Sequence, residues 1–514
     1  MGPTGSDGEL AGRPRSDSAR PPLSGRRDRA QSTAPHTARQ SFDKDPPVPR
    51  GATNRYPVPA TLVPQSLQWV RYFGSGHVSV AVLSPQRWSA MPKDLGQFDA
   101  IVIGARIAGC LTAAGLAELG WRVLVVDRVQ FPRPTLSTHL FFSDTLLAFR
   151  AARFLAPVLA LPAPRIRWLH FPYVEAPFPD HEGFDFALCI RREILDTVLL
   201  EQLRTRSGVT VLLRTQARDL LWDNGRVTGV VLEHAGQQWI AQARLVVGAD
   251  GRNSTVARLA GARPFDRVPP LFAWYYSYYE GVPIDPEPAA IAFRGAYPEI
   301  GAEYAAAFLF PADHGLTLVG YGVEHRAFRT FRSDVERHFR EGLARIPAAW
   351  ERISSTRRVA PIRGTGQLPN FFRTAYGPGW VLVGDAGCHK DPHTVQGMGD
   401  AARSARMLVE ELATVDPATS ALDQALARYA ARRDDDLRPM YDFTTFRLRQ
   451  QVPDEVWERF EARTREDPAL AALRVAAMVH AIHPRVVYSV ERITEFAAGA
   501  PVTPTAQPTQ NERL

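Results

Sequence analysis

Residues 98–128, FDAIVIGARIAGCLTAAGLAELGWRVLVVDR, predict a strand, a glycine turn, a helix and a second strand. Residues 100–103 form the short apolar run of a buried strand, and GARIAG (104–109) opens an Ala/Leu-rich helix that Gly120 ends. Asp127 ends the second strand, about 20 residues beyond the first glycine, where a carboxylate can accept hydrogen bonds from a ribose. Because a helix N-terminus also attracts a pyrophosphate, we predict an adenine dinucleotide site.

Arg106 stands where the usual G-x-G-x-x-G pattern has its second glycine, which normally lets the backbone approach the pyrophosphate. Arg106 can still offer its backbone N–H at negative φ, or its guanidinium can pair with a phosphate. The remaining alternative is an ordinary strand–helix–strand unit with a tight turn. The cofactor-binding residues predicted here are Gly104, Ala105, Arg106, Ala108, Gly109, Asp127 and Arg128.

The composition narrows the classes of protein. A chain of 514 residues, 45% hydrophobic, can build one large domain or two ordinary ones. The net charge is +7, but residues 1–95 hold 13 Lys and Arg against 7 Asp and Glu, so the rest is nearly neutral and no nucleic-acid groove is expected. Three scattered cysteines without a CxxC pair indicate a reducing compartment, and we expect the cytoplasm. The sequence contains no apolar run long enough for a transmembrane helix.

Two further junctions repeat the pattern of strand, small-residue loop and helix. GADGRNS (248–254) follows the apolar strand at 244–247, and GDAGCHKDPHTVQGMGDA (384–401) follows the strand at 380–383. Each loop carries a carboxylate, Asp250 or Asp385. The alternative is that each aspartate only caps the next helix.

The rest of the chain predicts an α/β fold in which a Rossmann-like three-layer domain is interleaved with an antiparallel β-sheet domain and followed by C-terminal helices. Short alternating strands in the aromatic region predict the antiparallel sheet. The predicted division is a disordered basic Pro/Ser/Arg-rich extension (1–95), a discontinuous dinucleotide-binding domain (96–175, 185–265 and 360–430), the substrate-binding sheet domain (176–184 and 266–359), a helical region (431–500) and a flexible tail (501–514).

Taken together, the three junctions over about residues 99–441 resemble those of FAD-dependent oxidoreductases, namely class A flavoprotein monooxygenases of the p-hydroxybenzoate hydroxylase type and the related geranylgeranyl reductases and flavin halogenases. The resemblance implies that the first motif binds the ADP half of FAD. It also implies cofactor contacts for Asp250, Gly251, Gly384, Asp385, Gly397, Met398 and Gly399, with Asp385 on the ribityl chain and the loop through Pro392 along the isoalloxazine.

Arg191, in RREILD, matches the family arginine that contacts the FAD pyrophosphate, and Arg192 is the alternative. The chemistry is compatible with these roles. A carboxylate accepts hydrogen bonds from ribityl hydroxyls, and a helix N-terminus stabilises an anionic reduced flavin. No metal is expected, because no further Cys or His has ligand spacing to Cys388 and His389.

For the reaction, the resemblance implies that NAD(P)H transiently reduces FAD and that O2 then forms a C4a-hydroperoxide. This species would hydroxylate or epoxidise an aromatic or polyketide/isoprenoid-like small molecule. A reductase of the geranylgeranyl reductase type is the alternative. A halogenase is disfavoured, because the Trp-x-Trp-x-Ile-Pro signature is missing from the sequence. A non-catalytic binding protein is the remaining alternative.

The substrate pocket is predicted from the alternating orientation of side chains along one aromatic strand. In LFAWYYSYY (271–279), alternate side chains of a strand face one way, so Tyr276 with Tyr278 or Trp274 would line a pocket. The alternative is that these rings belong to the sheet core. His139, in the loop at 131–141, is a predicted substrate contact, although that loop can equally be a turn that caps the next helix. Pro392 and His393 are the catalytic candidates. They lie in the loop at 384–399, which we call the flavin loop.

Overall fold

The computed structural model describes residues 92–449 and 451–502, together with the two-residue strands Val70–Arg71 and Ser79–Val80, which pair antiparallel. Most of the predicted disordered extension and of the predicted tail lies outside these residues. The first long strand, Lys93–Ile103, begins before the predicted boundary at residue 96. It does so because its first residues pair with the strand Gln237–Gly248.

A mixed eight-stranded sheet forms the centre of the first domain. Its parallel part joins Lys93–Ile103 to Val123–Val126 on one side and to Gln237–Gly248 on the other, and Gln237–Gly248 also pairs with Trp380–Leu382. The remaining strands are Val209–Leu212, Thr215–Asp223, Arg226–His234 and Tyr376–Gly377. A large buried core joins the sheet to helices, the longest of which are Ile107–Glu118, Arg192–Arg204, Gly397–Leu412 and Ala421–Arg449.

The register of this sheet places the three junctions together. Ile103 pairs with Gly248, and Gly248 pairs with Leu382, all in parallel strands. The three loops therefore leave the sheet at neighbouring positions of one edge, where open α/β sheets bind ligands. The predicted convergence of the three junctions is confirmed by this topology.

The antiparallel sheet of the second domain also has eight strands. Its strands are Trp168–Phe171, Val174–Pro177, Phe272–Glu280, Ala289–Tyr297, Ala302–Pro311, Leu316–Glu324, Arg357–Arg358 and Arg363–Thr365. One face packs on the helices Phe328–Ser333, Val335–Ala344 and Pro347–Ile353. The other face shares a core with the C-terminal helices Asp454–Glu466, Pro468–Met478 and Val490–Ala497.

The predicted α/β class is confirmed, but three predicted domain boundaries differ from the structure. Trp168–Pro177 belongs to the antiparallel sheet, because Trp168 pairs with Ala289. The sheet extends to Thr365, which pairs with Trp274. The helix Ala421–Arg449 runs without interruption across the predicted boundary at residue 430.

Short elements complete the described residues. The helices Ser143–Ala151, Leu155–Leu159 and Thr255–Leu259 flank the parallel sheet. Two small sheets lie outside the two large ones. One pairs Leu140–Phe141 with Leu188–Cys189, and the other joins Pro264–Val268, Asn370–Arg373 and Cys388–His389. In the described ranges, no helix combines the length and the apolarity needed to cross a bilayer.

Candidate active site

The glycines of the first junction are required by close contacts. Gly104 has a φ of 110°, and a Cβ there would overlap the carbonyl oxygen of Ala249 in the second junction. A Cβ at Gly109 would overlap the carbonyl oxygen of Gly104. At Gly384, in the third junction, a Cβ would lie 3.1 Å from the Cβ of Ala108. The three loops are therefore in direct contact.

Asp127 connects the glycine loop to the next strand. Its Oδ2 accepts a 2.8 Å hydrogen bond from the backbone N–H of Ala105, and its Oδ1 accepts one of 3.0 Å from Val129. Each carboxylate oxygen keeps a further acceptor position, so the buried side chain can also accept from a ribose hydroxyl. The neighbouring Arg128 is exposed.

Two of the three helices that begin at this edge lack a side-chain cap. The N-cap residues Arg106 and Gln396 form no capping hydrogen bond to the helices Ile107–Glu118 and Gly397–Leu412. Their first backbone N–H groups are thus available to a ligand. A Cβ at Gly397 would meet no described atom within 4 Å, so the space before the second of these helices is open.

The second junction is different, because its polar groups are used locally. The Oδ2 of Asp250 accepts from the backbone N–H of Thr255 at 2.6 Å, and its Oδ1 accepts from the Ser254 hydroxyl at 2.5 Å. Ser254 in turn accepts from the N–H of Ala257. Burial raises the pKa of Asp250, and these hydrogen bonds oppose the rise. The capping role of Asp250 is therefore observed, whereas cofactor contacts of Asp250 and Gly251 stay predictions.

Asp385 has no such local role. It lies half-buried in the short 3-10 turn Gly384–Ala386, and within the described residues its carboxylate has no hydrogen-bond partner. The loop is held instead by the backbone N–H of Gly384, which donates to the hydroxyl of Ser404 at 2.9 Å. Asp385 can thus accept hydrogen bonds from ligand hydroxyls.

The two arginines predicted for the pyrophosphate, Arg191 and Arg192, pair with different carboxylates. Asp196, fully buried, pairs with Arg106 at 2.6 Å and with Arg192 at 2.8 Å, so these two guanidinium groups lie beside the glycine loop. Arg191 is instead paired with Asp313 of the antiparallel domain, at 2.8 Å. The helix begins at Arg192, and Arg191 before it is not helical, so the two consecutive side chains point to different partners. Arg192 thus lies with Arg106 beside the glycine loop, whereas Arg191 reaches the antiparallel domain, and a pyrophosphate contact of either arginine stays a prediction.

Asp391 is a site residue that sequence reasoning missed. Its carboxylate accepts hydrogen bonds from the indole of Trp274 at 2.9 Å and from the backbone N–H groups of Phe272 and His393. Its own N–H donates to the side chain of Asn370. Complete burial raises its pKa to about 7, in spite of these donors. Asp391 thus joins the flavin loop to the antiparallel sheet, and the only local signal was an aspartate before Pro392.

The aromatic strand Phe272–Glu280 turns alternate rings towards the loops of the first domain, as predicted. Trp274 reaches Asp391, and the hydroxyl of Tyr276 donates to the carbonyl of Thr135 at 3.2 Å. The hydroxyl of Tyr278 lies 2.5 Å from Nε2 of His139. We call Trp274, Tyr276 and Tyr278 the aromatic wall. Tyr275 points the other way, onto Phe331.

Burial keeps the polar groups of this wall neutral. The pKa of His139 falls to about 3, because the ring is fully buried and lies near two arginines. The pKa of Tyr276 rises to about 12 and that of Tyr278 rises further, mainly through desolvation. A neutral His139 and a neutral Tyr278 can share one hydrogen bond without a charge, which fits a dry environment.

A cavity of about 190 Å³ lies on the other side of the flavin loop. The ring of His393 stacks on Phe272 at 5.3 Å and faces this cavity. The opposite side is formed by the C-terminal part of the chain, through Phe443, Phe446 and Trp457. Of the predicted catalytic and substrate residues, only His393 lines the cavity, and the aromatic wall and His139 are not part of its lining.

The start of the helix Gly397–Leu412 is anchored by buried charges. Asp400 pairs with Lys390 and with Arg403, and Arg403 also pairs with Asp144. A Cβ at Gly399 would overlap the carboxylate of Asp144. The Met398 side chain is buried in the core, so its predicted cofactor contact is limited to the backbone. This cluster fixes the helix N-terminus, and no signal in the local sequence indicated it.

The donor set fits a dinucleotide with a polyhydroxylated chain. Two open helix N-termini suit a pyrophosphate and an anionic ring edge, and two available carboxylates, Asp127 and Asp385, suit hydroxyl groups. Within the described residues there is no cluster of His, Cys, Asp and Glu that could hold a metal ion. The three cysteines, Cys110, Cys189 and Cys388, are buried and free.

Comparison with known proteins agrees with this fit. Residues 97–275 match the FAD binding domain family. The chain is 26% identical over 351 residues to digeranylgeranylglycerophospholipid reductase 2 of Methanothermobacter thermautotrophicus. This alignment covers 65% of this chain and 83% of the relative. It is 25% identical over 342 residues to digeranylgeranylglycerophospholipid reductase of Methanocella arvoryzae, covering 65% and 82%.

Solved structures share the fold. The myxobacterial chondrochloren halogenase CndH aligns with a TM-score of 0.61 and 22% identity, covering 68% of this chain and 82% of that one. The probable FAD-dependent monooxygenase PqsL of Pseudomonas aeruginosa aligns with a TM-score of 0.55 and 20% identity, covering 68% and 94%. The predicted fold is confirmed, and the predicted resemblance to FAD-dependent oxidoreductases is supported by the FAD binding domain at residues 97–275 and by these relatives.

Proposed function

We propose that this protein is a single-component, NAD(P)H-dependent monooxygenase that hydroxylates or epoxidises an aromatic or polyketide/isoprenoid-like small molecule. When bound, FAD would supply the electron transfer and the activation of O2. The observation that carries the proposal is the aromatic wall, whose polar atoms all point at protein partners, namely Asp391 in the flavin loop and Thr135 and His139 in the loop at 131–141. Such a wall excludes water, and oxygen transfer requires a site from which water is excluded.

The residues of the sheet edge would hold the cofactor. Asp127 would accept from the ribose, the N-terminus of Ile107–Glu118 would bind the pyrophosphate, and Asp385 would accept from the ribityl hydroxyls. The backbone from Gly397 to Gly399 would face the flavin, and Arg192 would offset phosphate charge beside the glycine loop. The three buried free cysteines favour a reducing compartment, and we place the protein in the cytoplasm.

Residues of the flavin loop would act on the substrate side. His393 lines the cavity and can contact a substrate there, and Pro392 precedes it in the same 3-10 turn and sets the course of its backbone. Asp391 positions Trp274 and the backbone of His393 at once. His139 positions Tyr278 through their hydrogen bond. The wall residues would thus keep the cavity side dry and rigid.

A second candidate is a flavin-dependent reductase of carbon–carbon double bonds. The similarity to the two named reductases favours it. Reduction of a double bond adds a hydride and a proton to carbon, but it needs no O2. The two candidates therefore differ in their requirement for O2.

The test is to supply the flavin-loaded protein with NADH or NADPH and a panel of phenolic, polyketide and polyprenyl compounds. Under ¹⁸O2, a monooxygenase gives a product that carries one labelled oxygen, and anaerobic samples give none. A reductase gives a product two mass units heavier without O2. Oxidation of NAD(P)H to NAD(P)+ with reduction of O2 to H2O2 as the only reaction, unaffected by every compound, would contradict both candidates.

A matched pair of variants on one strand sharpens this test. Trp274→Phe keeps a ring in the wall but removes the hydrogen bond to Asp391. The ratio of H2O2 to product per NAD(P)H oxidised should then rise about two- to twelvefold, as expected when one hydrogen bond of about 0.5–1.5 kcal/mol is lost. Tyr275→Phe, on the opposite face, should leave that ratio unchanged. Equal effects of the two variants would show that the wall has no special role.

A further inference from the structure

The cavity beside the flavin loop has an apolar interior and a positively charged mouth. Tyr173, Phe443 and Trp457 are buried in its wall, and Phe272 and Phe446 complete the aromatic lining. Arg294 and Arg465 also line it, and both are exposed, so they stand at the opening. Arg294 comes from the strand Ala289–Tyr297 and Arg465 from the helix Asp454–Glu466.

Both arginines lack a charge partner. In the described ranges no ion pair includes Arg294 or Arg465, although Arg463, on the same helix, pairs with Asp467 at 3.4 Å. The guanidinium of Arg294 lies over the ring of Tyr304, 5.2 Å from its centre, which holds it against the cavity wall. Two cations that come from separate elements therefore meet at one opening.

The single acid of the lining does not neutralise this opening. Glu461 lines the cavity, but its Oε1 accepts a 2.7 Å hydrogen bond from the indole of Trp457, which directs the carboxylate to the aromatic side. Counting Arg294, Arg465 and Glu461, the opening keeps an excess of one positive charge. A guanidinium group is suited to a planar carboxylate or a phosphate.

We infer that this cavity takes an amphiphilic anion, a molecule with a flat apolar body inside the aromatic lining and one anionic group at Arg294 and Arg465. The inference deepens the proposed function, on which it rests, because His393 brings the same cavity to the flavin loop. It makes the C-terminal helix Asp454–Glu466 a determinant of substrate choice. The apolar body supplies burial, and the arginines set the orientation.

The test uses 2-naphthoate and its neutral analogue 2-acetonaphthone, titrated by calorimetry into the flavin-loaded protein without NAD(P)H. The carboxylate should bind about tenfold more tightly than the ketone, as expected for a charge-assisted hydrogen bond. Arg294→Gln and Arg465→Gln should each weaken 2-naphthoate about fivefold and leave 2-acetonaphthone unchanged. Arg329→Gln, an exposed arginine on the helix Phe328–Ser333 and outside the cavity lining, is the matched control and should change neither.

Leu271→Trp tests the cavity itself. The larger side chain at this lining position fills the cavity and should abolish binding of both compounds. A third ligand, 2-naphthyl phosphate, identifies the preferred anion, since either anion binding more tightly than the ketone supports the inference. Equal binding of anions and ketone, or unchanged naphthoate binding in both arginine variants, overturns it. These titrations involve no turnover, so their failure is distinguishable from failure of the oxygen-transfer test.

Discussion

The loops at 248–254 and 384–396 both lead from a parallel strand to a helix, and both carry an aspartate after a glycine. In the first, Asp250 and Ser254 satisfy the N-terminus of a short helix, Thr255–Leu259. In the second, Asp385 has no partner among the described residues, and the helix Gly397–Leu412 begins without a side-chain cap. Similar sequences thus give one self-satisfied loop and one with hydrogen-bonding groups to spare.

The difference shows where a ligand can act. A loop whose donors and acceptors are already paired gains little from a cofactor, whereas unpaired groups at a sheet edge can form hydrogen bonds with one. The glycine loop belongs to the second kind, since the helix Ile107–Glu118 also lacks a cap. We therefore expect the first and third junctions to provide most of the binding energy for the cofactor, and the second to support the first through the contact of Gly104 with Ala249.

The largest effect is expected where backbone contact itself makes the loop. Gly109→Ala places a Cβ on the carbonyl oxygen of Gly104 and should cost about 3 kcal/mol of unfolding free energy and most of the FAD occupancy. Gly397→Ala is the control, because it enters open space at the other uncapped helix and should leave the Tm of the FAD-free protein unchanged. Flavin content after purification and thermal unfolding measure both. A stable, fully flavinylated Gly109→Ala protein would contradict the packing of the first junction.

The difference between Asp385 and Asp250 can be tested by making the same substitution at each. Asp385→Asn should weaken FAD binding about 10- to 100-fold, because hydrogen bonds to a charged group contribute about 1.5–3 kcal/mol. Asp250→Asn should lower the unfolding free energy by about 1 kcal/mol through the weakened cap but change the Kd for FAD less than threefold. Flavin fluorescence titration and chemical denaturation provide the two numbers. The reverse pattern would assign the binding role to the second junction.

A third aspartate, Asp391, caps its turn and is also fully buried, so its charge should be costly. Its folded pKa of about 7 lies above its unfolded value, and the folded state therefore binds more protons between about pH 4 and 7. The unfolding free energy should then fall as the pH rises through this range, with a slope of up to about 1.4 kcal/mol per pH unit from this group. Asp391→Asn should flatten that slope in chemical denaturation between pH 5 and 7.5. Identical slopes in both proteins would show that Asp391 ionises normally.

The smallest effect is expected at Arg106. Its pair with the buried Asp196 duplicates that of Arg192, which keeps the carboxylate paired, so Arg106→Gly should change the unfolding free energy by about 1 kcal/mol or less. The substitution restores the usual glycine of the loop, and FAD should bind as before or up to about threefold more tightly. Flavin titration measures this. A loss of more than about tenfold would show that the guanidinium holds a phosphate rather than Asp196.

The sequence by itself determined the elements that depend on local pattern. Apolar runs followed by glycine-rich loops gave the three junctions, and parallel strand topology was enough to bring their carboxyl ends together. The two-residue period of the strand Phe272–Glu280 placed Trp274, Tyr276 and Tyr278 on one face. These features follow from the periods of regular structure and from the geometry of glycine.

Only the tertiary structure decided which groups remain available to a ligand. Arg191 and Arg192 are adjacent in sequence, but Asp313, 122 residues away, holds the first, and Asp196 holds the second. The role of Asp391 depends on Trp274, and the cavity depends on helices near the C-terminus. A hydrogen bond or ion pair between distant elements has no local signature, because it is created by packing that brings separate parts of the chain together.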